Sequence, residues 1–159
     1  MVSVARFYLD FTVEESCGKC TPCRIGNKRL LEILNRITQG CGTEKDLETL
    51  STLGHVIKDT ALCGLGQTSP NPVLSTLNNF YDEYLEHVKD KTCRSKQCKA
   101  LLTYSINPEK CIGCHLCFKH CPADAIIGDV RKPHVIDPNK CIKCGMGMAR
   151  CKFKAINVC

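Results

Sequence analysis

The sequence lacks several features that would place it in common classes of protein. No run of about 18 apolar residues occurs, so we expect no membrane-spanning helix. The N-terminal residues 1–6 lack the basic region and the long apolar core of a secretory signal peptide. No CxxxCxxC motif is present, which disfavours a radical-SAM enzyme. Residues 92–159 offer few aromatic side chains for stacking on nucleobases, namely Tyr104, Phe118 and Phe153.

Cysteine, by contrast, is abundant and makes up 15 of the 159 residues. In a secreted protein this content would indicate a disulfide framework. The odd number of cysteines, their tight clustering and the lack of a secretion signal instead favour metal-bound thiolates in a reducing compartment. We therefore expect a cytoplasmic location.

The charges divide the chain into two modules that meet near residue 92. Residues 1–91 carry 10 Lys and Arg against 12 Asp and Glu, a balance of −2, whereas residues 92–159 carry 12 against 4, a balance of +8. A basic module could attract nucleic acid or an acidic protein, and its lysines could also be ordinary solvated surface.

The most informative stretch is CIGCHLCFKHCP, which begins at Cys111 and contains Cys114, Cys117 and Cys121. In bacterial ferredoxins the first three thiolates of this run hold one [4Fe–4S] cluster and the fourth ligates another. A disulfide framework would not crowd four cysteines into so short a coil, since near neighbours meet badly for S–S geometry. Zinc usually takes two separated pairs of ligands.

The second module repeats with a period of 30 residues, since residues 104–126 match residues 134–156. Such doubling predicts a two-cluster ferredoxin-like βαβ repeat, in which each half supplies its last cysteine to the cluster of the other half. One ligand set is then Cys111, Cys114, Cys117 and Cys151. The other is Cys121, Cys141, Cys144 and the repeat partner of Cys117.

That partner is Gly147, which has no side chain to ligate iron. The site could hold a three-iron cluster, a four-iron cluster with water or an added thiol, or no cluster. Cys159 could also reach it, whereas Met146 and Met148 offer only weak thioether ligands. An open iron there could bind a substrate. A designed substitution of cysteine by glycine, made to delete or open one cluster, would leave the same sequence pattern.

Apolar residues at helical spacing predict four short helices in the first module, which would form a small bundle. They cover residues 2–15, about 24–37, a third helix opened by Thr43 and Asp46, and a fourth from the prolines at 70 and 72 to Val88. The chain begins inside the first helix, as a truncated or split subunit would. We expect a buried free thiol at Cys41.

The loop between the first two helices carries Cys17, Cys20 and Cys23, which leaves a cubane cluster one ligand short. Cys63 lies in a Gly-rich turn and is the natural fourth ligand. The stretches ESCGKCTPCRIG and LCGLGQTSPNPV resemble the C-terminal cluster domain of the NADH-oxidising flavoprotein subunit of complex I. The resemblance implies that these four cysteines hold a [4Fe–4S] cluster that takes electrons from a flavin in an upstream domain. Because no Gly-rich nucleotide loop is present, we do not expect this chain alone to bind NADH or FMN.

The whole chain resembles the C-terminal part of the flavin-binding beta subunit of multimeric, electron-bifurcating NAD(P)-linked [FeFe]-hydrogenases. The expected fold is α+β, with a helical cluster domain at 1–91, a hinge at 92–103 and a ferredoxin-like domain at 104–159. The likeness implies an electron relay that is not catalytic alone. It would carry electrons between a flavin and NAD(P)H site on one side and hydrogenase subunits or an acidic soluble ferredoxin on the other. Neither nucleic acid nor a membrane is an expected partner, although a zinc-binding module that interacts with nucleic acid is the alternative.

Three histidines stand close to cysteines. His87, Cys93 and Cys98 could hold a structural zinc at the hinge, although free thiols or a disulfide would fit the same residues. The hydrogenase and formate dehydrogenase relatives tend to have a His, Cys, Cys group at this place. His115 and His120 lie inside the cysteine run, where they could donate hydrogen bonds to cluster sulfurs or be solvated surface residues.

Overall fold

A computed structural model describes residues 1–158 and divides into two compact units, residues 1–101 and the residues from Leu102 onward. The first unit is helical and the second carries all the described strands, so the fold class is α+β as the sequence predicted. No described helix is long and apolar enough to cross a bilayer. Cys159, a candidate ligand in the sequence, lies outside the described residues.

The helices of the first unit are α1 (Val2–Glu14), α2 (Asn27–Thr38), α3 (Glu44–Thr60), α4 (Gly64–Thr68), α5 (Asn71–Asn79) and α6 (Tyr81–Leu85). Two π-helical turns, Pro22–Gly26 and Glu86–Asp90, adjoin α2 and α6, and a 3-10 turn covers Lys99–Leu101. Each of the longer helices buries one apolar stripe, and these stripes meet in one core. Its members include Val2, Leu9, Leu30, Leu34, Leu50, Ile57, Val73 and Tyr84.

The fourth predicted helix is broken in the structure. Phe80 leaves helical geometry, with φ −132° and ψ 38°, and thereby separates α5 from α6. The break leaves Phe80 and Tyr81 exposed, although the periodicity placed both on the apolar stripe. It also buries Tyr84 completely, with its hydroxyl 2.8 Å from the Thr76 hydroxyl. A single uninterrupted helix is therefore wrong for this segment.

The segment predicted as a hinge is packed onto the first unit. Cys93, Cys98 and Leu101 are buried and contact one another. The Lys91 ammonium donates to the Gly42 carbonyl at 2.8 Å, which ties the start of this segment to the loop before α3.

The second unit contains β1 (Tyr104–Ile106), α7 (Leu116–Lys119), β2 (Ile126–Ile127), β3 (Val135–Ile136), α8 (Met146–Arg150) and β4 (Ile156–Val158). Two antiparallel sheets form, one from β1 and β4 and one from β2 and β3. Ile106 faces Ile156 in the first sheet and Ile126 faces Ile136 in the second. Each sheet therefore joins a strand of one sequence repeat to a strand of the other.

Candidate iron–sulfur and metal sites

The first group of cysteines lies where the π-helical turn before α2 meets the start of α4. Cys20 and Cys23 are buried and contact Ala61, whereas Cys17 and Cys63 are exposed. Hydrogen bonds from the backbone N–H groups of Leu62 and Cys23 lower the pKa of the Cys20 thiol. Because Leu62 directly precedes Cys63, the structure brings the loop cysteines next to the segment that carries the fourth predicted ligand.

Two polar side chains, one of them buried, contact the Cys23 sulfur. The Asn27 amide donates to its sulfur at 3.5 Å, and the Ser16 hydroxyl lies 3.3 Å from the same sulfur. Asn27 is fully buried and also accepts from the Ser69 hydroxyl at 2.9 Å. Such contacts orient a sulfur as a metal ligand. The sequence reasoning did not find Asn27, because α2 carries several other polar residues and nothing in their spacing distinguishes Asn27.

Two cavities in the second unit collect the remaining predicted ligands. The first cavity is lined by cysteines from both repeats, Cys111, Cys114, Cys117 and Cys151. Burial raises the pKa of the Cys117 thiol, and the charges of the other three sulfurs raise it further. Four converging thiols in an apolar cavity match the donor set of a [4Fe–4S] cluster.

The second cavity is lined by Cys121, Cys141, Cys144 and Gly147. It offers three thiols where the first offers four, as the sequence repeat predicted. One backbone amide supports a sulfur in each cavity, since Ala155 N–H donates to Cys151 at 3.4 Å and Ala125 N–H donates to Cys121 at 3.3 Å.

A pair of histidines borders the first cavity. His115 Nδ1 lies 2.8 Å from His134 Nε2, and both residues line the cavity. His134 is buried, and burial followed by the nearby His115 lowers its pKa. The sequence reasoning missed His134, although the period of 30 maps it onto Tyr104, which borders the second cavity. His120 is exposed, with its Nδ1 3.0 Å from the Leu116 carbonyl.

His87, Cys93 and Cys98 converge in the first unit, with their ligand atoms all within 4.8 Å of one another. All three are buried, and Cys98 Sγ lies 3.4 Å from His87 Nε2. His87 Nδ1 lies 2.6 Å from the Glu83 carbonyl, which leaves Nε2 facing the sulfurs. A carbonyl on the second ring nitrogen commonly orients a zinc-binding imidazole, so this donor set fits zinc.

The two thiols of this group differ in acidity. Burial alone would raise the pKa of Cys93, but hydrogen bonds from the Ser95 hydroxyl and from the Cys98 and Gln97 backbone outweigh it and lower that pKa to about 6. Burial, together with the Cys93 thiolate, raises the pKa of Cys98 to about 12.

Cys41 is the one described cysteine that lies outside these groups. All 14 described cysteines are free of disulfide bonds. Cys41, expected to be buried, is exposed in the loop between α2 and α3, so that expectation is wrong.

Comparisons with known proteins find an iron–sulfur family in each of the two units. The family described as NADH-ubiquinone oxidoreductase-F iron-sulfur binding region matches residues 3–87, and the 4Fe-4S binding domain family matches residues 104–127. The chain is 61% identical to the NADP-reducing hydrogenase subunit HndC of Solidesulfovibrio fructosivorans. The match covers 98% of this chain and 32% of that subunit. It is 40% identical, over 53% of its length, to 14% of the NAD-reducing hydrogenase HoxS subunit alpha of Cupriavidus necator.

A solved NAD⁺-reducing [NiFe]-hydrogenase in the H2-reduced state is also similar, with 30% identity and a TM-score of 0.53 over 55% of this chain and 15% of that one. The chain thus spans about a third or less of the length of these relatives.

Proposed function

The chain belongs to the NADH-ubiquinone oxidoreductase-F iron-sulfur binding family, and from this premise we propose that it is the electron-relay segment of a larger NAD(P)-linked hydrogenase. Its relatives are subunits of hydrogenases and of NADH-quinone oxidoreductase. One observation carries the proposal: Cys111, Cys114, Cys117 and Cys151 come from both sequence repeats and yet line one cavity. A bound iron–sulfur cluster supplies reversible one-electron transfer.

We propose three modules with the boundaries that the sequence suggested. Residues 1–91 would be a helical cluster-binding bundle, residues 92–103 a connecting segment, and residues 104–159 a two-cluster ferredoxin-like domain. The pairing of β1 with β4 and of β2 with β3 supports the last assignment, because each sheet joins the two repeats. The exchange of cysteines between the repeats follows the same pattern, since Cys151 lines the cavity of the first repeat.

The first module would hold its cluster with Cys17, Cys20, Cys23 and Cys63. The short distance between the π-helical turn and the start of α4 supports this set, as does the amide of Asn27 on the Cys23 sulfur. The buried contacts among Cys20, Cys23 and Ala61 would fix the two segments against each other.

The flavin and NAD(P)H sites would lie outside this chain. We propose a flavin-binding domain or subunit and a hydrogenase catalytic subunit as partners, which fits the names of the relatives. An acidic ferredoxin is the proposed soluble partner of the second module, because residues 92–159 carry a balance of +8. Complementary charge would steer such an encounter.

We also propose a structural zinc at His87, Cys93 and Cys98. The metal would pin the segment after α6 to the first unit, where Cys93, Cys98 and Leu101 already form one buried contact group. A fourth ligand would complete the tetrahedral set that structural zinc prefers.

The test is the metal and sulfide content of the chain purified without oxygen. Acid-labile sulfide in proportion to iron supports the relay, and Cys20→Ser should remove about four irons per chain. Cys41→Ser is the matched control, since that exposed thiol belongs to none of the proposed sites. Stoichiometric zinc with almost no iron or sulfide would overturn the proposal in favour of a zinc module.

A further inference from the structure

We infer that the second cavity of the ferredoxin-like unit holds a three-iron cluster, ligated by Cys121, Cys141 and Cys144. This inference rests on the proposed function, which requires clusters in this unit. A [3Fe–4S] cluster takes one terminal ligand on each of three irons and therefore needs three thiolates. The three cysteines line the cavity together with Gly147.

Gly147 occupies the position that completes the ligand set in the other cavity. The period of 30 places it opposite Cys117, and the two residues lie in the equivalent helices α8 and α7. Cys117 is buried and lines the first cavity with the three other thiols of its set. At Gly147 the same corner of the second cavity has no side chain.

Apolar groups border the missing ligand position. A Cβ built on Gly147 would lie 3.3 Å from Ile156 Cδ1 and 3.4 Å from Ile126 Cδ1. These two isoleucines belong to the buried core of the unit. On the side of these isoleucines, a water or hydroxide on a fourth iron would face hydrocarbon and find no hydrogen-bond partner. The geometry therefore favours loss of that iron over its hydration.

Protein side chains close by are poor substitutes for the missing thiolate. Met148 lines the cavity but offers a thioether, which is a weak ligand beside thiolate. Tyr104 also lines the cavity, but its hydroxyl lies beside Gly145, 3.6 Å from a Cβ built there. It is not among the atoms nearest a Cβ built on Gly147.

The backbone at Gly147 does accept a side chain. Its φ lies outside the left-handed region, and the closest clash, with a flexible isoleucine methyl, needs a shift of a few tenths of an ångström. Gly147→Cys and Gly147→Ala add the same Cβ, but only the first adds a ligand. The pair therefore separates ligation from packing.

The experiment measures iron, acid-labile sulfide and the EPR spectrum of the oxidised chain, purified without oxygen. An oxidised three-iron cluster is paramagnetic, whereas a resting four-iron cluster is not. We expect about eleven irons and about one unpaired spin per chain. Gly147→Cys should raise the iron to about twelve and abolish the spin signal, and Gly147→Ala should leave both unchanged.

Other outcomes would overturn the inference. About twelve irons without a spin signal in the unaltered chain would mean a complete four-iron cluster with an additional ligand. Cys159→Ser and Tyr104→Phe would then show whether the chain supplies that ligand, because either change would lower the iron count. About eight irons would mean that the cavity takes no cluster, while the relay proposal would stand. Iron near zero would instead overturn the proposed function itself.

Discussion

Gly66 of α4 packs closely against Ala61 and Cys23 of the first cysteine group. A Cβ at this residue would lie 2.6 Å from the Ala61 Cβ and 3.2 Å from the Cys23 Cβ, and neither neighbour is a flexible side-chain end. Gly64, two residues earlier in the same helix, has nothing within 4 Å of its would-be Cβ. The two glycines therefore form a matched pair for testing whether α4 presses against the cysteine loop.

We expect Gly66→Ala to destabilise the chain by ~1–3 kcal/mol, because overpacking forces the loop away from α4. It should also reduce the iron content, since the loop carries Cys23. Gly64→Ala should be neutral or stabilising by up to ~1 kcal/mol, because alanine is the better helix former. The apparent midpoint of thermal unfolding, measured without oxygen, and the iron content check both variants. Equal effects in the two variants would show that the close packing at Ala61 is irrelevant.

The unequal thiols at the proposed zinc site predict how zinc binding depends on pH. At pH 7 the Cys93 thiol is ionised, since its pKa is about 6, whereas Cys98 is protonated, since its pKa is about 12. Zinc needs both as thiolates, so binding at pH 7 should release about one proton, from Cys98. Calorimetry in buffers of different ionisation enthalpy measures this number.

The affinity for zinc should weaken as the pH falls from 9 to 6, by about tenfold per unit, because one proton must leave. Below pH about 6 the Cys93 thiol is protonated as well, so the dependence should become steeper. Cys41→Ser is the control and should change neither the affinity nor the proton release. Release of no protons at pH 7 would mean that Cys98 does not bind the metal.

Individual residues also show what the sequence could and could not reveal. The proposed cysteine ligands stand in spaced motifs, so their grouping was predictable from the sequence. Asn27 and His134 touch the same sites from positions without such spacing, and their partners lie far along the chain: Ser69 for Asn27 and His115 for His134. Tertiary contacts of this kind have no local sequence pattern.

At the scale of elements, the start of α3 shows a local pattern that the fold keeps. The sequence predicted a variant capping box at Thr43 and Asp46, and the structure confirms it. The Asp46 carboxylate accepts from the Thr43 backbone N–H at 2.9 Å and from its hydroxyl at 3.0 Å, and it also pairs with Arg36. Burial opposes ionisation, but these donors outweigh it and hold the pKa of Asp46 below its usual value.

We expect Asp46→Ala to destabilise the chain by ~0.5–2 kcal/mol at neutral pH, the usual cost of losing a helix cap. Glu48→Ala is the control, since it removes another carboxylate from the same helix at an exposed position. Because the folded pKa of Asp46 is lowered, its stabilisation is present at neutral pH and is lost as the pH falls through that pKa. Unfolding midpoints of the three chains check the order, and equal loss in both variants would contradict the cap.

The other helices show where periodicity is insufficient. The stripe from Val73 to Val88 is continuous in sequence, yet the chain breaks at Phe80 and ends in a π-helical turn. Apolar periodicity does not predict this break. After it, Tyr84 is buried and its hydroxyl contacts the Thr76 hydroxyl, eight residues earlier in the chain. The same π-helical turn carries His87 toward Cys98, so the irregular helix end helps to form the proposed zinc site.

At the scale of the whole molecule, composition predicted two modules. It did not predict which contacts residues 92–103, the segment between them, would make. The chain is polar and basic from Arg94 to Lys99, which is typical of a linker. Cys93, Cys98 and Leu101 are nevertheless buried and contact one another. Three buried side chains are too few to form a detectable pattern in so short a segment.

The uneven charge of the molecule predicts that salt weakens electron transfer to an acidic ferredoxin. Charges on the second module steer the encounter, and salt screens them over a Debye length of about 10 Å at 0.1 M. We expect the second-order rate constant, measured by stopped flow with a reduced acidic two-iron ferredoxin, to fall by about tenfold or more as the ionic strength rises from low to high.

Two exposed lysines of the second module, Lys119 and Lys140, are suited to charge reversal. Changing both to Glu should slow the reaction at low salt and flatten its salt dependence, because the steering field is weakened. Lys28→Glu, at an exposed position of the first module, should have little effect. A neutral small-molecule reductant should show no salt dependence with any of these chains, which separates steering from damage to the clusters. A rate that does not change with salt in the unaltered chain would remove the case for docking through the basic module, and would leave the relay with partners that contact it by other surfaces.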